Sequence, residues 1–290
     1  MIKAIGNLLP DKIYIELLYR YTMGRWPNLK EPKTFTEKLQ WLKLNERNSL
    51  YPMLVDKISV KDWVSSKIGK EYIIPTLCIW DRAEDINCEI LPNQFVLKCN
   101  HDSGGIIICR DKESFDKKSA VKLLNKSLKK KYYLKGREWP YKLITPRVFA
   151  EMLISDHEGH NDLKDYKFFV FNGKVKFFKI DFGRFIEHHA NYYDREGNLL
   201  PFGEAIFPPK PGISLKIPNN LLEMITIAEK LSTDTTFVRI DLYNIDGRIY
   251  FGEMTFFPAS GFGRFVPEDY DYMLGKLLDL PIDNKIDILP

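Results

Sequence analysis

The sequence predicts an α+β protein. Three observations carry that expectation. Apolar residues recur at helical spacing between positions 34 and 67. The text then changes to short runs rich in Val, Ile, Phe and Tyr, which suit strands. Some of those runs are joined by turn sequences that suit hairpins, Asn172-Gly173 and Asn244-Ile245-Asp246-Gly247. The 290 residues correspond to roughly two domains of about 150 residues each. Hydrophobic residues make up 44 %, too many for a disordered chain. With 43 Lys and Arg against 39 Asp and Glu, the net charge is +4, which excludes a strongly basic nucleic-acid tail. Cys78, Cys88, Cys99 and Cys109 include no C-x-x-C pair and form no disulfide framework, so a reduced, cytoplasmic chain is expected. The first apolar stretch is broken by Asp11, Lys12 and Glu16, which argues against a signal peptide or a membrane span.

Taken in order, Thr34 and Glu37 form a capping box for a helix carrying Phe35, Leu39 and Leu42. A second helix is expected over 53–67, with Leu54, Val55, Ile58 and Val64 inward. Strands are expected over 71–75 and 77–80, then 95–99 and 106–110 as a hairpin around the loop Asn100-His101-Asp102-Ser103-Gly104-Gly105. A helix over 116–130 and a strand over 147–154 follow. In YKFFVFNGKVKFFKI, Asn172-Gly173 is the preferred type I′ pair between strongly β-prone residues. After a Pro-rich loop, Asn220 and Glu223 signal a helix over 220–231. The chain divides into a helical region over 1–70, a connecting α/β segment over 71–94, and two α+β parts over 95–155 and 156–290.

The last hairpin, FVRIDLY-NIDG-RIYFGEMT, reads as a type I turn with Gly247 as a left-handed bulge. That loop pairs Asn244 with Arg248, sets Asp241 opposite Phe251, and puts Arg239, Asp241, Glu253 and Thr255 on one face. A two-residue turn would instead send Asp241 and Glu253 to opposite faces. Two carboxylates on neighbouring strands suit Mg²⁺, which takes hard oxygen ligands. The bland alternative is a strand whose charges face water. Lys98, ending a strand before a Gly-containing loop, suits a polyphosphate: glycine backbone admits oxygens to N–H groups and the ammonium supplies charge. Neither G-x-x-x-x-G-K-[ST] nor G-x-G-x-x-G is present. Cys99, His101 and Cys109 lack a fourth partner and zinc-type spacing. His188-His189 reads as a surface pair. KSLKKKYYLKGREWPYK, over 126–142, mixes positive charge with rings and suits an anionic glycan or single-stranded nucleic acid, or a solvated helix end.

The order of these pieces resembles the ATP-grasp superfamily. The stretches TFTEKLQWLKL, FVLKCNHDSGG, GREWPYK, DYKFFVFNGK and FVRIDLYNIDGRIYFGEMTFFPASG resemble its TupA-like group, from about Lys33 onward. The resemblance implies an ATP-grasp fold, two α+β subdomains sandwiching ATP behind a helical N-terminal region. It implies ATP and Mg²⁺ as cofactors. Lys98, with His101, Ser103, Gly104 and Gly105 of the loop, would hold the phosphates. Glu151 to Ile154 would be the hinge strand reading adenine, with Glu151, Met152 and Ile154 as contacts, and Lys167 would touch the phosphates. Asp241, Glu253 and Thr255 would hold the metal, Thr255 standing where the superfamily usually has Asn. Arg184 and Arg239 would steer the transferring phosphate and the carboxylate. The implied activity is a carboxylate–amine ligase joining an amino acid or related amine to a uronic-acid carboxyl of a surface glycan or precursor, through an acyl phosphate. Activation of the amino acid's own carboxylate is the other order. It further implies no nucleic-acid partner and peripheral association with membrane-bound polysaccharide machinery. Thr255 fits the alternative of a glycan-binding or scaffold protein that has lost catalysis. A glycosyltransferase would need a D-x-D-type motif, which Asp194-Arg195-Glu196 only imitates.

Overall fold

A computed structural model of the chain describes residues 8–155, 163–183, 186–213 and 215–281. It mixes helices with antiparallel sheets, as the α+β expectation has it. The chain forms two compact units: one from Met1–Glu46, Lys164–Leu242 and Met254–Pro290, the other from Arg47–Leu163 and Tyr243–Glu253.

In the first unit, α1 (Asp11–Met23) and α2 (Phe35–Asn45) come first. The capping box forms as expected: Thr34 Oγ1 accepts from the Glu37 N–H while the Glu37 carboxylate accepts from the Thr34 N–H. Strands β5 (Asp165–Phe171), β6 (Lys174–Phe182) and β7 (His189–Tyr193) form a meander, followed by the short strand β8 (Gly203–Glu204). Asn172 and Gly173 both take positive φ, 46° and 79°, which makes the predicted type I′ turn. The two-residue turn pairs Phe171 with Lys174, but the register slips by one between Phe169 and Val170. That bulge decides the face of every later residue. It aligns Asp165 with Asp181 and Lys167 with Lys179. The face they share is aromatic near the turn, where Phe169 stacks on Phe177 with centroids 4.5 Å apart, and ionic at the far end. Phe35 of α2 packs on the aromatic half through Phe171 and Phe237. Helix α6 (Leu221–Leu231) forms with its predicted apolar stripe. Its start differs from the prediction: Asn220 makes no side-chain cap, and its amide donates to the Glu223 carboxylate at 3.4 Å.

The second unit starts with a correction. The helix expected over 53–67 is two helices, α3 (Tyr51–Val55) and α4 (Ser59–Ile68). Asp56 breaks them: its carboxylate accepts from the Ile58 N–H at 2.9 Å and from the Asn100 amide at 3.1 Å. The expected strand over 71–75 is a short 3₁₀ turn at Lys70–Tyr72 followed by an isolated bridge from Ile73 to Phe251. Strands β1 (Thr76–Trp80), β2 (Phe95–Cys99), β3 (Ile107–Cys109) and β4 (Val148–Met152) make an antiparallel sheet in the order β1-β4-β2-β3. Phe95, Leu97 and Cys99 share a core face with Val148 and Ala150, and α5 (Lys117–Leu128) covers it through Leu124. Val96, Lys98, Phe149 and Glu151 therefore point the other way.

Asn100 is fully buried and ties this unit together. Its amide donates to Asp56 and to the Thr145 carbonyl, each at 3.1 Å, and its Oδ1 accepts from the Arg147 N–H at 2.7 Å. Asn100→Ala removes three hydrogen bonds, one of them to the buried Asp56. A stability loss of about 3 kcal/mol in urea unfolding is expected, and a loss under about 1 kcal/mol would contradict this account.

Candidate active site

On the face of β2 and β4 away from the core, Lys98 and Glu151 are diagonal neighbours, and the Lys98 ammonium donates to Glu151 Oε1. Glu151 is 4 % exposed. Its other oxygen accepts from Lys61 Nζ of α4 at 2.9 Å, and Lys61 also donates to the Ile74 carbonyl at 2.9 Å and to Thr76 Oγ1 at 2.8 Å. Burial resists ionisation of Glu151, but the two ammonium groups outweigh it and hold its carboxyl below the usual range. The Met152 N–H donates to the Pro75 carbonyl at 3.0 Å, so it is occupied within the sheet, while the Met152 side chain is exposed.

The loop after β2 has two left-handed glycines, with φ of 93° at Gly104 and 73° at Gly105. Gly105 is needed twice over: a Cβ there would meet Ser127 Oγ at 2.6 Å. Beneath it Asp102 is buried, accepting from Ser127 Oγ and from Lys130 Nζ, the latter at 3.1 Å. His101 is buried too, and burial pushes its pKa down, so it is neutral at neutral pH. Ser103 is exposed. Lys57 donates to the Asp102 carbonyl at 2.7 Å and stands 3.7 Å from the Glu253 carboxylate.

In the first unit, Lys167 lies among Asp165, Asp181 and Asp241, at 3.7 Å from Asp181 and 2.6 Å from Asp241. Burial opposes its charge, but Asp165 and Asp241 raise its pKa above the ordinary value. Arg239 grips both oxygens of Asp241 at 2.6 and 2.7 Å and donates to Thr255 Oγ1 at 3.2 Å. Lys179 pairs with Glu204 at 2.8 Å and stands 3.6 Å from Asp181. Among the described residues, the buried set Asp165, Asp181, Glu204 and Asp241 exceeds Lys167, Lys179 and Arg239 by one negative charge. Among the described residues no group of three or more Asp, Glu, His or Cys side chains is arranged to hold a metal ion, but Asp241 and the carboxylates near it are hard oxygen donors of the kind Mg²⁺ takes.

Strands β9 (Phe237–Ile245) and β10 (Arg248–Thr255) form the edge of the five-stranded sheet, in the order β10-β9-β5-β6-β7. The turn corrects the prediction. Asp246 and Gly247 have φ of 53° and 86°, so this is a two-residue type I′ turn, and the pairing of Asn244 with Arg248 does not hold. Such a turn alone would put Arg239 and Thr255 on opposite faces, yet they are hydrogen-bonded. The buried positions of β10 change phase between Phe251 and Met254, which locates a compensating extra residue at Gly252-Glu253.

Lys98 and Glu151 are thus together in the second unit, and Lys167, Arg239, Asp241 and Thr255 in the first. Arg184 lies outside the described residues. Sequence reasoning missed Lys61, Lys179, Asp181 and Glu204. Lys179 and Asp181 were recoverable from their odd spacing along β6 once the bulge is known, whereas Lys61 and Glu204 carry no local signal. His189, read as a surface residue, begins β7 and is buried, with Nδ1 2.8 Å from the Pro208 carbonyl. Asp194, of the D-x-D imitation, closes a turn by accepting from the N–H groups of Glu196 and Asn198.

Comparison with known proteins follows from this geometry. No curated protein matches the sequence. Among solved structures, D-alanine–D-alanine ligase from Bacillus anthracis, complexed with ATP, is 16 % identical with a TM-score of 0.42, over 77 % of this chain and 62 % of that one. The Helicobacter pylori D-alanine–D-alanine ligase is 15 % identical with a TM-score of 0.46, over 84 % of this chain and 69 % of that one. A RimK-domain ATP-grasp protein from Sphaerobacter thermophilus is 10 % identical with a TM-score of 0.40, over 78 % and 67 %. The chain thus spans about two thirds of the length of these distant likenesses. A family model described as TupA-like ATPgrasp matches residues 37–279, most of the chain, and the protein belongs to that family.

Proposed function

We propose that the protein is an ATP-dependent carboxylate–amine ligase, joining an amino acid or related amine to a uronic-acid carboxyl of a bacterial surface polysaccharide or precursor. The observation that carries this reading is the buried ionic set around Asp241, in a chain of the ATP-grasp family. Asp241, Glu253 and Thr255 would hold Mg²⁺. Thr255 Oγ1 accepts from the same Arg239 that grips Asp241, which supports placing Thr255 and Asp241 together. The ion, when bound, would neutralise charge where two anions must meet. Lys98 would hold phosphate oxygens beneath the loop from Asn100 to Gly105, with Ser103 on its open side. His101, buried and neutral, would shape that loop. Glu151 would orient Lys98, and the backbone and side chains from Met152 to Ile154 would meet the adenine. Lys167 is held by three carboxylates, so it would reach phosphate oxygens only with bound Mg²⁺ offsetting their charge.

The chemistry is mostly positioning and charge neutralisation. The substrate carboxylate attacks the γ-phosphorus, the bond to the β-phosphate oxygen breaks, and ADP and an acyl phosphate form. The amine then attacks the acyl carbon, phosphate leaves, and the amine nitrogen gives up its proton. Arg239, fixed by two hydrogen bonds to Asp241, would face the transferring phosphate, with Arg184 as the second cation. No helix among the described residues is long and apolar enough to cross a membrane. We place the protein in the cytoplasm, at the membrane's inner face beside the glycan machinery.

Calorimetric titration of the chain with Mg-ATP and with UDP-sugars tests the reading. Mg-ATP should bind, and ADP should appear only with both an amine and a uronate. Binding of a UDP-sugar with none of Mg-ATP would overturn the proposal.

A further inference from the structure

We infer that the outer face of α5 is a docking surface for an anionic polysaccharide, separate from the ATP-binding residues. Between positions 117 and 137 the chain has eight lysines, one arginine and no acidic residue. Those nine positive charges compare with +4 for the whole protein, so the remainder is net negative by five. The charge is therefore concentrated on one stretch of chain, with Lys117, Lys118, Lys122 and Lys126 on α5 and the others just after it.

The fold turns this run into a stripe. Ala120, Leu124 and Ser127 face inward, and Leu124 joins the core of the second unit. Lys118, Lys122, Lys126 and Lys129 are exposed, and with Val121 and Asn125 they line a shallow open groove. Among the described residues no carboxylate comes within ion-pair distance of these four lysines; Lys130 next to them pairs with Asp102, and Glu84 accepts from Asn125. Like charges one helical turn apart repel each other, so the stripe lacks internal compensation and favours an external polyanion.

The geometry selects the class of polyanion. Lys118, Lys122 and Lys126 are spaced by four residues, about 6 Å along the axis, and their long side chains can follow the carboxylates of successive uronate units. Single-stranded nucleic acid would favour exposed rings for stacking, but Tyr132 packs edge-on against Tyr141 and Lys142 covers Tyr133. Membrane insertion would need an exposed apolar stripe, and on α5 Leu123 is the one exposed large apolar side chain among the described residues. The choice of a uronate rests on the proposed ligase reading, and the surface would keep a polymeric acceptor near the chemistry.

The test uses the full chain and polygalacturonate as probe, followed by anisotropy at low and high salt. Wild type should bind, more weakly as salt rises. Lys118→Glu/Lys122→Glu/Lys126→Glu should lose at least about ten-fold in affinity, and Lys122→Gln/Lys126→Gln should lose less. Unchanged binding in both variants would overturn the inference. So would tighter binding of anionic phospholipid vesicles or single-stranded DNA than of polygalacturonate. Mg-ATP titration of the same proteins reads the ligase proposal separately: polygalacturonate binding with no ATP binding would sink that proposal and leave the docking surface standing.

Discussion

Asp241→Asn is expected to abolish Mg-ATP turnover, by at least about a hundred-fold, and to destabilise the fold. The carboxylate is buried and holds Lys167 and both donors of Arg239. Removing its charge leaves two buried cations short of a partner, which costs about 3 kcal/mol. Glu253→Gln should separate the two effects. Its side chain is 37 % exposed and its cationic neighbour, Lys57, lies 3.7 Å away. The proposed metal role then predicts a similar loss of turnover with a stability change within about 0.5 kcal/mol. ADP release and urea unfolding on the same preparations check both. Full turnover in Glu253→Gln would remove the metal assignment, and an unaltered unfolding midpoint in Asp241→Asn would contradict the account of the ionic set.

The second large effect is expected at Lys98 and Glu151. Lys98→Met deletes a charged donor to phosphate, worth about 1.5–3 kcal/mol, so KM for ATP should rise by about ten-fold or more. Stability should change little, because Glu151 keeps Lys61. Glu151→Leu is the reverse case, stranding two ammonium groups at a cost of about 3 kcal/mol. The pH dependence has a definite sign. The folded pKa of Glu151 lies below its ordinary value of 4.5. Its contribution to stability is complete above that ordinary value and is lost as pH falls through the folded one. The advantage of wild type over Glu151→Gln should therefore shrink below about pH 4.5, and an advantage that grows with acid would refute the pairing.

How much of this was legible beforehand differs from element to element. Asn172-Gly173 named its turn because that pair tolerates positive φ at both positions. Asn244 to Gly247 was compatible with two turns, and the left-handed Asp246 selected the other one. Asn100 looked like a loop residue, and its bonds to Asp56, Thr145 and Arg147 depend on segments about 45 positions away on either side. Lys167 reads as a cation for phosphate, and of the three carboxylates around it only Asp165, two residues back on the same strand, is local; Asp181 and Asp241 come from other strands.

The linear order of residues indicated most of the helices and strands, since periodicity, capping and turn chemistry act over a few neighbours, but not the break at Asp56 or the 3₁₀ turn at Lys70–Tyr72. It also marked Lys98, Asp241 and Glu253 as the residues to watch. The folded arrangement decided who meets whom. Single-residue slips in β6 and β10 choose the face of each charge, and long-range packing brings Lys61 to Glu151 and Lys179 to Glu204. A strand's side chains alternate with a period of two, so one extra residue reverses every later orientation, and the energy that fixes its position comes from partners remote in the chain.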